Sequence, residues 1–247
     1  VSVLEALAIA GVGLVAGTIN TVVGSGSLVT FPTLLAFGFP AVVANVTNTV
    51  GLVPGTLSGV TAYREELHGQ ARRLGVLCTA SIVGGACGAA LLLALPVSVF
   101  RHVVPALILV ACVLVALQSR LARRLRRARD SLGGPGLYLG VLATGVYCGY
   151  FGAAQGVMLV SLLGVFLDDH LQRLNAAKNV LTLAANGVAA VIFIALAHIA
   201  WEAAGLVAAG AVVGGQLGGT LGRRLDPRWL RAAIVVVGVT AAIVLLV

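Results

Sequence analysis

An all-α, polytopic membrane protein built from two inverted repeats, each a broken-helix hairpin followed by three longer transmembrane helices, is the fold class this sequence predicts. Three observations lead there. From residue 6 to residue 63 no Asp, Glu, Lys, Arg or His occurs, although one bilayer-spanning helix needs only about 20 apolar residues. The arginines collect in short gaps between apolar runs, six of them within 120–129. Residues 75–117 also lie on 205–247 without a gap, so that Gly75, Gly84, Gly85, Gly88, Leu91, Leu95, Arg101 and Ala111 coincide with Gly205, Gly214, Gly215, Gly218, Leu221, Leu225, Arg231 and Ala241.

Composition narrows the class. Of 247 residues, 60% are hydrophobic and 10% charged, with a mean hydropathy of +1.08, whereas about a quarter of a soluble domain is charged. Further charge-free runs cover 74–100, 131–167 and 203–222. A transmembrane barrel would alternate polar and apolar residues in segments of about ten, and the run Ala89-Ala90-Leu91-Leu92-Leu93-Ala94-Leu95 does not. The net charge of +8 sits where cytoplasmic loops gather Lys and Arg, which argues against a nucleic-acid partner. Cys78, Cys87, Cys112 and Cys148 lie inside apolar runs without C-x-x-C spacing, so neither a metal site nor a disulfide framework is expected. No cleavable signal peptide is evident, because the apolar start runs on beyond a signal core.

The elements follow in order. In the first half, 1–118, the reading is two short arms at 3–19 and 26–37 around Gly24-Ser25-Gly26, then helices at 41–63, 74–95 and 98–118. A basic cytoplasmic linker spans 119–135. The second half, 136–247, repeats the plan with arms at 136–150 and 155–167 around Gly152-x-x-x-Gly156, then helices at 174–196, 203–222 and 229–247. Gly13-x-x-x-Gly17 is answered by Gly145-x-x-x-Gly149, and Val46-Thr47-Asn48 by Ala177-Lys178-Asn179. Arms of 14–17 residues rise only about 21–26 Å, short of the roughly 30 Å hydrocarbon core, so they read as broken helices. A break inside lipid leaves N–H and C=O groups unpaired and is tolerated only where protein or a cavity covers it. With the linker cytoplasmic, Arg64, Arg72 and Arg73 fall on the same side. The basic turn at 223–228 has an uncharged counterpart at 93–98, so equivalent turns fall on opposite sides, an arrangement found in secondary transporters.

The breaks carry the candidate chemistry. Unwound backbone at the start of a half-helix offers free N–H groups and the positive end of the helix dipole, which suits oxyanions. Around the breaks stand Asn20, Thr21, Ser25 and Ser27, and Gln155. Asn45, Thr47, Asn48 and Thr49 form a polar cluster answered by Asn175, Lys178, Asn179 and Thr182, with Asn186 beyond. Helix capping, close packing and interhelical hydrogen bonding are the structural alternatives. Lys178, the only lysine, either snorkels to the cytoplasmic surface beside Asp168 and Asp169 or attracts an anion. The site set is Asn20, Gly24, Ser25, Gly26, Thr47, Asn48, Gly152, Gln155, Gly156, Lys178 and Asn179. His198 and Glu202, one helical turn apart, read as a solvated pair at a helix end or, second, as a proton-handling pair, and Cys148 as a packing thiol or, second, as a sulfur-handling contact. With no H-E-x-x-H, G-x-S-x-G or phosphate-loop motif and no Asp within the spans, no catalytic residue, cofactor or metal is expected.

The duplicated Gly-x-x-x-Gly, the Gly-Ser-Gly and Pro32-x-Leu34-Leu35 give the chain a resemblance to a known family. The stretch GLVAGTINTVVGSGSLVTFPTLL from Gly13 is similar to the first repeat signature of the sulfite exporter TauE/SafE family, and GVYCGYFGAAQGVMLVSLL from Gly145 resembles the second. The resemblance implies a multi-pass inner-membrane permease for small sulfur-containing anions such as sulfite or organosulfonates, with protons as the coupling ion. It places Gly24, Gly26, Gly152, Gly156 and the Asn48 and Asn179 neighbourhoods on the motif positions. Ala153-Ala154-Gln155 stand where the family is richer in glycine, and Lys178 where a small hydroxyl residue is common. The rival readings are a non-transporting membrane scaffold or assembly protein, a transporter of a different small anion, and a cation carrier, which would want carboxylates inside the spans.

Overall fold

The computed structural model describes residues 3–220 and Val236, with backbone alone at 101, 102 and 118–134. The elements of the described residues are all helices: α1 (Val3–Val22), α2 (Ser27–Ala36), α3 (Ala41–Ala62), a 3₁₀ turn (Arg64–Leu67), α4 (Ala71–Ala94), α5 (Val97–Tyr150), α6 (Gln155–Phe166), α7 (Leu171–Leu196) and α8 (Trp201–Thr220). Among the described residues, five stretches are long and apolar enough to cross a membrane: α1, α4, Val97–Leu117 of α5, α7 and α8. Helix α3 has the length, 22 residues, but Asn45, Thr47, Asn48, Thr49, Thr56 and Ser58 dilute its apolar character, and all six are buried inside the protein. The expected helix at 229–247 and the basic turn at 223–228 lie outside the described residues.

Two boundaries differ from the sequence reading. Helix α1 runs on through Asn20, Thr21 and Val22 to a length of 20 residues, a rise of about 30 Å, so the first arm is long enough to span; nothing stops it before Gly24. The segment expected as a linker between two helices is itself helical, because its Leu, Ala and Arg residues are strong helix formers. A straight helix of 54 residues would hold its ends roughly 80 Å apart, yet the Phe100 ring lies 5.8 Å from that of Tyr150 and 6.4 Å from that of Phe151. α5 therefore doubles back, and its two ends form the fifth element of the first half and the first arm of the second.

Small residues set the packing. In α1, Gly13 faces Val207 and Gly17 faces Ala211; in α3, Gly51 faces Val207, Gly55 faces Ala211, and Gly215 reaches Gly59. The contacts advance in the same sense on every partner, so α1, α3 and α8 are parallel. On the other side, Gly84 faces Leu142 and Val146, Gly88 faces Val146 and Tyr150, and Gly85 faces Ala185, making α4, the end of α5 and α7 a second parallel set. Backbones approach this closely only where no side chain intervenes. The sets run in opposite senses, since α4 begins where α3 ends: Tyr63 and Gln70, which flank the 3₁₀ turn, both touch the start of α7, through Asn175 and Arg173. The main apolar core gathers Phe31, Phe100, Phe151 and Phe193 around the two breaks, with Phe31 edge-on to Phe151 at 5.3 Å.

Candidate functional site

Both breaks are real interruptions, and they touch. The chain leaves α1 through Gly24 at φ +84° and leaves α5 through Gly152 at φ +74° and Ala154 at φ +57°. In each, the carbonyl three residues before the helix end receives two N–H groups: Val23 and Gly24 donate to Ile19 O at 2.7 and 3.0 Å, and Phe151 and Gly152 donate to Tyr147 O at 3.0 and 3.2 Å. α2 then folds back beside α1, with Gly26 against Ala16 and Asn20. The Gly156 N–H donates to Gly24 O at 2.9 Å across the junction. A Cβ on either glycine would collide with the other's Cα.

A helix end exposes its last carbonyls, and at the first break α7 covers them. Asn175 Nδ2 donates to Val22 O at 3.3 Å, Lys178 Nζ to Thr21 O at 2.9 Å and to Asn20 O at 3.0 Å, and Asn179 Nδ2 to Thr21 O at 3.4 Å. Lys178 is fully buried, so it does not snorkel; its ammonium faces the negative end of the α1 dipole. At the second break α3 supplies one such cap, Asn45 Nδ2 to Tyr150 O at 3.0 Å.

The start of each half-helix has donors to spare. Among the described residues, the N–H groups of Ser25, Gly26, Ala153 and Ala154 meet no acceptor, and the Ser25 hydroxyl, buried, meets no partner. Asn48 reaches α2, accepting from the Thr30 hydroxyl and donating to Ser27 Oγ at 3.1 Å. The Cys148 thiol lies 2.6 Å from Gln155 Oε1 and 3.0 Å from Asn186 Oδ1.

Most of the expected site residues thus meet at one buried junction: Gly24, Ser25 and Gly26 with Gly156, Lys178 and Asn179, and Gln155 beside Cys148. Asn20 contributes its carbonyl, while its amide donates to Thr56 Oγ1 at 3.1 Å. Thr47 turns away, its hydroxyl accepting from Ala200 N at 3.1 Å. The capping roles of Asn45 and Asn175, and the place of Cys148 inside the second break, fall outside the sequence-derived site set. The two asparagines stand at the same spacing as Gly84 and Gly214, and that coincidence was the available signal. Away from the junction, Asp169 joins the halves: Arg73 Nη2 donates to Oδ2 and Arg173 Nε to Oδ1, both at 2.8 Å. The Arg73 hydrogen bond and the charge of Arg173 hold the Asp169 carboxyl below its ordinary range. Among the described residues no three His, Cys, Asp or Glu side chains gather as a metal site.

Comparison with known proteins gives matches over nearly the whole chain. Residues 9–245 match the family model described as Sulfite exporter TauE/SafE. A probable membrane transporter protein of Haemophilus influenzae is 26% identical over 91% of this chain and 88% of its own length. The probable membrane transporter protein YfcA of Escherichia coli K12 is 27% identical over 92% and 84%, and the probable membrane transporter protein ORF9 of a Sinorhizobium species 22% over 94% and 88%. No solved structure matches the chain.

Proposed function

The chain belongs to the sulfite exporter TauE/SafE family, and on that premise we propose that it is a cell-membrane permease for small sulfur-containing anions, sulfite or organosulfonates, built from two inverted repeats. The observation that carries the reading is the buried meeting of the two breaks. There Ser25 N–H, Gly26 N–H, Ala153 N–H and Ala154 N–H and the Ser25 hydroxyl have no acceptor among the described residues, at the positive ends of α2 and α6. Donors without acceptors in a low-dielectric interior cost stability, and an oxyanion satisfies several at once. Neutral donors hold it weakly enough to let it go. Gln155 and Asn48 stand beside the breaks, and Lys178, bonded to the α1 carbonyls, adds positive potential without being a direct ligand. A scaffold gains nothing from two interruptions in lipid. Opposed parallel sets of helices suit movement of one half against the other.

The test is uptake of ³⁵S-sulfite or a labelled sulfonate into proteoliposomes. Flux above that of protein-free vesicles, lost in Asn48→Leu and in Ser25→Ala, is the expected result. Equal flux with and without protein overturns the substrate class.

A further inference from the structure

The two breaks are built alike but finished differently, and the difference points to a second ligand. At the first, the carbonyls of Asn20 and Thr21 meet the Lys178 ammonium. Counting back from the capped helix ends Val22 and Tyr150, their counterparts are the carbonyls of Cys148 and Gly149. Among the described residues no hydrogen bond reaches either. Lys178 lies three residues after Asn175; the residue three after Asn45 is Asn48, whose amide is engaged with Ser27 and Thr30. Beside these carbonyls, Asn45 is 1% exposed and its Oδ1 has no partner, while its Nδ2 is bound to Tyr150 O. At this helix end, therefore, two carbonyls lack a donor, and so does the amide oxygen of the side chain that caps the next carbonyl, Tyr150 O.

We propose that the second break binds a monovalent alkali cation, Na⁺ by size, held by the carbonyl oxygens of Cys148 and Gly149 and by Asn45 Oδ1, as the ion coupled to anion movement. Three features fix the class. The ligands are neutral oxygens, which suit a singly charged hard cation at a half-helix C-terminus; calcium sites draw on carboxylates, and none stands here. The equivalent carbonyls at the first break accept from Lys178 Nζ, so the frame takes a group that complements the negative end of a helix. A proton would need a titratable carrier, and the titratable side chains of this stretch, Tyr147 and Cys148, bond no carboxylate among the described residues, the thiol meeting Gln155 and Asn186 instead. The proposal deepens the permease reading and rests on it for the word coupled; the binding site itself does not.

The experiment uses the purified full chain in detergent without sulfite. Equilibrium dialysis with ²²Na⁺ measures bound ion, and thermal unfolding is followed in NaCl against choline chloride at equal ionic strength. The expected result is Na⁺ binding and a rise in Tm with Na⁺ but not choline, with affinity lowered about tenfold or more in Asn45→Leu. Asn48→Lys, which places a tethered amine where Lys178 stands at the other break, should bind no ²²Na⁺ and show the same Tm in NaCl and choline chloride. This variant and the parent measurement decide the matter if Asn45→Leu does not fold. No ²²Na⁺ binding and identical Tm in the two salts overturn the site. Sulfite flux equal in Na⁺ and choline overturns coupling while leaving the permease; Na⁺ binding without sulfite flux leaves the cation site and overturns the substrate reading.

Discussion

Gly24→Ala isolates the contact on which the site depends. Two costs arise: an alanine held at φ +84°, about 1–2 kcal/mol, and the overlap of its Cβ with the backbone of Gly156, about 1–3 kcal/mol for overpacking that the surroundings must absorb. The sum is roughly 2–5 kcal/mol. Two other glycines separate the parts. Gly38 has φ +83° but nothing within 4 Å of a Cβ, so Gly38→Ala carries the conformational cost alone. Gly156 has no positive φ, and its Cβ would meet Gly24 Cα and, at 2.8 Å, Lys178 Cδ, so Gly156→Ala carries the overlap alone. For a chain of this size each kcal/mol lowers Tm by about 2–4 °C. Fluorescence-detected size-exclusion after a temperature series should rank Gly24→Ala lowest, below both single-cost variants. A Gly24→Ala midpoint equal to that of Gly38→Ala would show that the breaks do not press together, and the site as described would fail.

Other substitutions test the surroundings. Lys178→Met removes the donors to Asn20 O and Thr21 O and leaves only Asn179 on the second of these; a loss of about 2–4 kcal/mol is expected, read as Tm in detergent, with Lys178→Arg recovering part of it. Asn175→Leu strips the cap from Val22 O and also the Tyr63 hydroxyl partner at 3.3 Å, for about 1–3 kcal/mol by the same readout. The Asp169 prediction concerns pH. Its folded-state pKa is depressed, so its contribution is complete above the unfolded carboxyl value of about 3.9 and disappears as pH falls through the lower folded value. The parent should therefore lose stability below about pH 4 more steeply than Asp169→Asn, and equal acid slopes would exclude the link to Arg73 and Arg173.

Much of this architecture is written in patterns that depend on backbone geometry. Gly24, Gly152 and Gly156 are legible because a break and a close approach both demand glycine, and the glycines of α4 and α8 because packed helices demand small residues at regular spacing. What the sequence withholds is the direction of side chains. Lys178 in an apolar run reads equally as a snorkelling cation or an anion ligand; only the position of the α1 end, folded against α7, assigns it to two carbonyls. Asn45 and Asn175 look like any polar residues on a buried face until the helix ends they cap are in place. The continuity of α5 was hidden for the opposite reason: a run of arginines reads as a loop by topology, while the same arginines with Leu and Ala favour helix locally.

The unequal finish of the breaks has an electrostatic consequence. Two fixed lysines facing one buried junction would repel by on the order of 1–2 kcal/mol at about 10 Å and an effective dielectric of about 20, in every state of the protein. One fixed ammonium and one exchangeable cation confine that repulsion to the cation-bound state, and an anion seated at the N-terminal ends of α2 and α6 relieves it. Each ligand then strengthens the other by the same factor, as linkage requires. Full loading with both is favoured over loading with the cation alone. With the proposed cation site in place, a junction with a single lysine prefers to carry opposite charges together, a preference that rests on that site as much as on the difference between Asn48 and Lys178.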